Sequence, residues 1–317
     1  MIVTLTPNPS VDRAYDVEAL ARGGINRAGA VHVDAGGKGI NVSRALAAHA
    51  VPTVAVLPVG GADGELLVTL LAPTDVTVRA VPVPGDTRSN ITLQESDGTT
   101  TKINAPGPEL DTAAGARLLA AVVATVGPGD TVVGAGSLPR GLAPDFYVTL
   151  AAAVRERGAR LVLDTSGGPL VAAARAGGVA LAKPNDDELA ELVGRELTTV
   201  GDVVEAAREV LARGTDALLV SLGAHGALLV TADHHWWASG PALVPASTVG
   251  AGDTTLAGYL AAEHAGADPA DCLRTAVAWG RAAVLLPGTA VPGPDLVDVD
   301  AVTLVPDPAP ATLVKEL

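Results

Sequence analysis

Aromatic residues make up 2% of this 317-residue chain, and there is a single cysteine. A core with so few rings has to be built from Ala, Val and Leu, and the stacking platforms used by single-strand nucleic-acid binders are all but absent. Cys272, alone in an apolar stretch, has no internal disulfide partner and reads as a small core residue in a reducing compartment. Long apolar runs are lacking too. The stretch 275–286 is broken by Gly280 and Arg281 and is too short to span a bilayer. Basic residues are outnumbered, with 21 Lys and Arg against 35 Asp and Glu, for a net charge of −14. The field of such a surface repels phosphate polymers, so neither nucleic acid nor an anionic membrane is expected as a partner. Residues 1–6 alternate like a strand without a basic leader segment, which predicts no signal peptide and a cytoplasmic protein.

What is present is a rhythm. Short apolar runs at 54–57, 131–133, 160–163, 180–183 and 217–221 alternate with helical stretches at 39–49, 64–71, 111–125, 144–157, 187–193 and 202–213. That alternation predicts βαβ units around a mostly parallel, doubly wound sheet, within one α/β domain over residues 1–317. Two segments, 12–33 and 87–104, break the rhythm. They alternate apolar and polar residues without a helix, and Ser96-Asp97-Gly98 reads as a hairpin turn. A strand with one wet face suits a small sheet outside the main one, so these segments predict a lid or an interface. The prolines of 306–310 predict an extended tail.

The most informative segment is Ser247-Thr248-Val249-Gly250-Ala251-Gly252-Asp253, followed by an Ala/Leu-rich helix. The glycines place bare main chain at a helix N-terminus, where free N–H groups and the positive end of the dipole make an anion site. Asp253 reads either as an ordinary first-turn carboxylate or as a base that deprotonates a hydroxyl beside that cradle.

This segment resembles the catalytic signature of the ribokinase-like (PfkB) sugar kinases, and four further motifs occur in that family's order. Thr6-Pro7-Asn8-Pro9-Ser10-Val11-Asp12 resembles its first strand. Gly36-Gly37-Lys38-Gly39-Ile40-Asn41 resembles its Gly-rich substrate motif. Lys183-Pro184-Asn185-Asp186-Asp187-Glu188 contains Asn-x-x-Glu, and Ser221-Leu222-Gly223-Ala224-His225-Gly226 is similar to its nucleotide-binding turn. The resemblance implies a central sheet with helices on both faces and a small β-lid, and ATP and Mg²⁺ as cofactors. It implies Asp253 as general base, with main-chain N–H groups of Gly250, Ala251 and Gly252 as the anion hole. It further implies Asn185 and Glu188 around Mg²⁺, and Lys183, Asn185, Ser221, Gly223 and Gly226 at the nucleotide. From the residues alone, Glu188 also reads as part of a solvated acidic face, Asn185 as a helix cap, Gly223 and Gly226 as a plain turn, and His225 as solvent-facing.

On the acceptor side the resemblance implies Asp12, Gly36, Gly37, Lys38, Asn41, Arg88, Lys102 and Ser137. Lys38, between two glycines, reads as an unshielded ammonium or as a plain loop lysine. Arg88 and Lys102 fall on the two lid strands and read as phosphate clamps or as gatekeepers of exposed edges. Cations in these motifs of an acidic chain favour a phosphorylated sugar over a neutral one, and the resemblance implies a phosphorylated ketohexose. The segments 134–141 and 163–168 resemble the phosphosugar branch of the family, and Gly-Gly-Lys-Gly resembles the bacterial 1-phosphofructokinases and tagatose-6-phosphate kinases. The expected reaction is phosphorylation of fructose 1-phosphate, with tagatose 6-phosphate or fructose 6-phosphate as alternative acceptors. A non-catalytic phosphosugar-binding regulator would need a lost base or anion loop. Ser247 stands where several of the sugar kinases have Asp, which leaves activation by a monovalent cation open. The family and the alternating lid strands suggest a homodimer through the lid. The Gly-x-Gly-x-x-Gly of dinucleotide binders and the Walker phosphate loop are both missing.

Overall fold

The computed structural model describes residues 1–317. The chain begins with β1 (Ile2–Leu5), β2 (Ser10–Val17), β3 (Ala30–Gly36), α1 (Lys38–Ala48), β4 (Thr53–Val59), α2 (Gly61–Leu71) and β5 (Thr77–Pro82). A hairpin of β6 (Arg88–Glu95) and β7 (Thr100–Ile103) follows, then α3 (Thr112–Val123), β8 (Thr131–Ala135), α4 (Phe146–Glu156), β9 (Arg160–Asp164) and α5 (Gly167–Ala176). The second half contains β10 (Val179–Ala182), α6 (Asp186–Val193), α7 (Val200–Leu211), β11 (Thr215–Ser221), β12 (Ala227–Thr231) and β13 (His235–Ser239). It closes with α8 (Ala251–His264), α9 (Pro269–Ala283) and β14 (Thr303–Pro306).

Ten strands form one sheet in the order β14-β13-β12-β11-β10-β9-β8-β1-β4-β5. From β5 to β11 neighbouring strands run parallel, and β12, β13 and β14 add an antiparallel edge. Strands buried on both faces read as unbroken apolar runs, which is why Val132, Val133, Leu161, Val162 and Leu163 are all inside. One face is covered by α3 to α7 and the other by α1, α8 and α9. The predicted two-sided α/β sheet is therefore the observed one. Strand order reverses between β1 and β8, and in such sheets ligands bind outside the carboxyl ends of the strands beside that point.

The two rhythm-breaking segments form a separate four-stranded sheet in the order β3-β2-β6-β7. Pairing is antiparallel except between β2 and β6, which run parallel. Alternation divides its two faces. Asp12, Asp34 and Asn90 share one, while Tyr15, Val31, Leu93, Ile91 and Ile103 share the other. Val11, Ala35 and the partly buried Val33 anchor the base of this sheet against Ile40 and Leu67, and Arg13 reaches Asp63 of α2 at 2.8 Å.

The expected extended tail is corrected. Pro306 ends an edge strand, and the chain then folds back over the start of α7. Val200 N–H donates to Thr312 O and Val314 N–H to Thr198 O, each at 2.9 Å. A short helical turn, Val314–Glu316, follows, with Val314 buried. The prolines steer the chain to this docking surface instead of keeping it away from the body.

Candidate active site

Side chains from the strand ends and from two helix starts meet at the reversal point. α1 and α8 both begin on a glycine at positive φ, Gly37 at 131° and Gly250 at 78°, with no side-chain cap. Most other residue types would be strained there. At Gly37 and Gly39 a side chain would also strike Thr6, and at Gly36 it would overlap the Asp12 carboxylate. In the first turn of α8 the N–H groups of Gly250, Gly252 and Asp253 have no acceptor, while Ala251 N–H reaches Thr248 O at 3.4 Å. Of the N–H groups expected to form an anion hole, those of Gly250 and Gly252 are free and that of Ala251 is partly engaged, while the N–H of Asp253, outside the expected set, is free as well.

Asp253 is 6% exposed, in the first turn of α8. Asn41 Nδ2, from the first turn of α1, donates to its Oδ2 at 2.8 Å, and Asn41 Oδ1 is buried without a partner. Burial, with the nearby Asp164 carboxylate second, pushes the Asp253 pKa up to about 6; Lys38, the Asn41 bond and Lys183 partly offset this.

Asp164, the last residue of β9, is fully buried and pairs with two lysines: Lys38 Nζ at 2.5 Å from Oδ1 and Lys183 Nζ at 3.1 Å from Oδ2. Burial raises the pKa of Asp164, but Lys183 and Lys38 outweigh it and hold the carboxyl below its usual range. Burial lowers that of Lys38, and Asp164 more than reverses it. The unshielded ammonium expected at Lys38 is thus corrected to one paired with the buried Asp164, which also pairs with the buried Lys183, while the Lys38 side chain stays 38% exposed. Lys183 lies against the anion loop, since a side chain at Gly252 would come within 3.2 Å of its Nζ. Asp164 carried no assigned role in the sequence. The available signal was a carboxylate ending an apolar strand.

On the small sheet, Ser10 Oγ donates to Asp12 Oδ1 at 2.7 Å and Asn90 Nδ2 does so at 2.9 Å. Asn90 escaped the sequence reading because its strand position accounted for it. Arg88 is half-buried, donates to Ala105 O at 3.1 Å, and keeps a buried Nε without a partner. Burial lowers its pKa, with Asp12 opposing. Lys102 is exposed on the outermost strand, opposite Thr92, apart from this cluster. Ser137 is exposed just after β8.

Beside the anion loop opens a cleft of about 690 Å³, lined by Asn185, Ser221, Gly223, Gly226, Ala251 and Gly252 among others. His225, expected to face solvent, is half-buried in its wall, and its carbonyl accepts from Trp237 Nε1 at 2.8 Å. Asn185 and Glu188 form a capping box: Asn185 Oδ1 accepts from Glu188 N–H at 2.6 Å, and Glu188 Oε2 from Asn185 N–H at 2.9 Å. The cap leaves Glu188 Oε1 uncommitted. No three acidic or His/Cys side chains converge as a metal cage. That suits an ion that keeps most of its own water and substrate ligands.

A sequence profile of pfkB family carbohydrate kinases matches residues 5–296. The chain belongs to this family. It is 39% identical over 264 residues to the 1-phosphofructokinase of Xanthomonas campestris, covering 82% of this chain and 83% of that one. It is 37% identical over 290 residues to the ATP-dependent 6-phosphofructokinase isozyme 2 of Escherichia coli, covering 91% and 94%. The solved structure of Escherichia coli phosphofructokinase-2 with substrates and products superposes with a TM-score of 0.88 at 36% identity, over 93% of this chain and 96% of that one. Family membership makes the protein a phosphotransferase acting on a carbohydrate hydroxyl.

The buried acid generates a stability prediction. Asp253 has a folded pKa of about 6 against 3.8 unfolded. Below pH 4 it is protonated in both states and costs nothing. Between pH 4 and 6 the native state holds the extra proton, so stability falls as pH rises, and above 6 the full penalty of about 2–3 kcal/mol applies. Asp253→Asn is expected to raise the urea midpoint at pH 8, by the equivalent of about 1–3 kcal/mol, with the gain vanishing near pH 4. An equal effect at both pH values would contradict the burial argument.

Proposed function

We propose that the protein transfers the γ-phosphoryl group of ATP to the 6-hydroxyl of fructose 1-phosphate, acting as one α/β unit with the small sheet as its lid. The observation that carries this reading is the position of Asp253. It stands in the uncapped first turn of α8, where Ala251 and Gly252 line the cleft, and it is bonded by Asn41 with Lys38 and Lys183 nearby. Asp253 takes the hydroxyl proton, the oxygen attacks the γ-phosphorus, and the bond to the ADP oxygen breaks. The free N–H groups of the α8 turn and the Lys183 ammonium face the charge carried by the transferred group. Asp12, held by Ser10 and Asn90, and Asn41 position sugar hydroxyls. Arg88 and Lys38 face the sugar phosphate. Glu188 and Asn185 would hold Mg²⁺ through water, and the ion would supply positive charge against that of the phosphates. Deprotonation needs ionised Asp253, so kcat is expected to fall as pH drops below about 6. At pH 7.5 Asp253→Asn should lower kcat by about 10²–10⁴ with little change in KM. Turnover like that of the wild type would remove Asp253 from the chemistry.

Similarity to both 1- and 6-phosphofructokinases makes fructose 6-phosphate the second reading. Coupled ATP-consumption assays with fructose 1-phosphate, fructose 6-phosphate and tagatose 6-phosphate decide the acceptor by their kcat/KM. Arg88→Ala is expected to raise KM for the preferred sugar phosphate about tenfold or more, and that for ATP less than twofold, since a charge-assisted bond is worth about 1.5–3 kcal/mol. Equal effects on both substrates would remove the phosphate-clamp role.

We further read the apolar face of the lid as a homodimer surface. Val31 and Ile103 on that face are 51% and 57% exposed, unusual for β-strand valine and isoleucine without a partner. Sedimentation should give a dimer at micromolar concentration and a monomer for Val31→Asp combined with Ile103→Asp. A monomeric wild type would remove this reading.

A further inference from the structure

On one wall of the same cleft stands a cation that the proposed chemistry does not use. Val277, Gly280, Arg281 and Val284 form a stripe along α9 and its end that makes one wall of the cleft. Arg281 is the one Lys or Arg among the lining residues. The side-chain ion pairs of the chain's arginines are made by Arg13, Arg160, Arg195 and Arg274. Arg281 is instead held by a carbonyl, donating from Nη2 to Pro241 O. Its guanidinium lies against bare main chain, because a side chain at Gly240 would stand 2.6 Å from both Cζ and Nε. Glycine at 240 is therefore a condition for this placement. In a chain of net charge −14, a planar cation pinned by one carbonyl and one glycine has a fixed orientation and no acid to satisfy it.

The surroundings indicate which part of a ligand it meets. Pro241, whose carbonyl holds Arg281, continues into Ala242, Leu243 and Pro245, which line the cleft with an apolar surface. Leu317 is added by the chain end, whose helical turn packs on the turn Gly223–His225. The groups suited to phosphate are the free N–H of Gly252 and the Lys183 ammonium beside it. Resting on the reading of this cleft as the ATP site, we infer that Arg281 holds the purine base of the phosphoryl donor, its guanidinium plane stacked on the ring, and so sets the preference for a purine nucleotide. A guanidinium stacks on aromatic faces where an ammonium of equal charge has no plane to offer, and a purine gives more ring area than a pyrimidine.

The test compares wild type, Arg281→Lys and Arg281→Met with ATP and with UTP as donors, fold being checked by thermal melting. Lysine retains the charge and the reach to Pro241. Both variants are expected to raise KM for ATP about 5–10-fold and to narrow the preference for ATP over UTP, with KM for the sugar phosphate within about twofold of wild type. Rescue of KM for ATP by lysine alone would make Arg281 a simple charge contact and overturn the inference, as would an unchanged preference between the two donors. A wild type that ATP does not saturate would overturn the donor reading itself, an outcome seen before any variant is made.

Discussion

The candidate site depends on Asp164 being ionised where no water reaches it. An isolated carboxylate buried in this way would take up a proton. Here Lys38 and Lys183 hold it ionised, and the trio counts two cations against one carboxylate at the carboxyl ends of the strands. That surplus faces the α8 turn, whose free N–H groups add further positive potential. A polyanionic substrate is thus drawn into one place on a molecule whose outer field opposes it. The same Asp164 raises the pKa of Asp253, so one residue both secures the lysines and brings the proposed base closer to neutrality. Removing it would leave the buried Lys183 without its counter-charge, and that is costlier than the loss of a surface ion pair.

Much of the fold was legible because its signals are local. Strands covered on both faces read as continuous apolar runs, and helices between them follow from composition. The lid strands announced themselves by alternation, with Asn90-Ile91-Thr92-Leu93 as the clearest case. The glycines at 36, 37, 250 and 252 were legible as well, since they mark bare main chain whatever the tertiary context. Within the site, the sequence could nominate Asp253, Asn41, Lys38 and Lys183 one by one. It could not show that Lys38 and Lys183, 145 positions apart by subtraction of their numbers, converge on one carboxylate. That convergence is a property of strand order and leaves no spacing rule. Asn90 was hidden for the opposite reason, because a good strand pattern already accounted for it. The tail was misread because prolines argue only about local backbone. The docking of Val314 depends on a surface made by α7.

Asn185 and Glu188 illustrate how one pair of residues can carry two readings at once. Their reciprocal cap satisfies main-chain N–H groups at the start of α6, a structural gain that needs no ligand. It also fixes Glu188 so that its second oxygen is held in a single position. A preset oxygen suits a weakly bound, water-rich cation better than a mobile side chain would.

The small sheet has a further consequence through β2. Side chains of this strand alternate between the wet face, with Ser10 and Asp12, and the dry face, with Val11 and Tyr15. A slip of β2 by one residue would exchange the two sets, turning the carboxylate outward and the tyrosine inward. The Ser10–Asp12–Asn90 cluster and the packing of Val11 at the base of the sheet are thereby written into the same pleat. A single inserted residue in this strand would abolish both together, so neither property can drift by register change without the other.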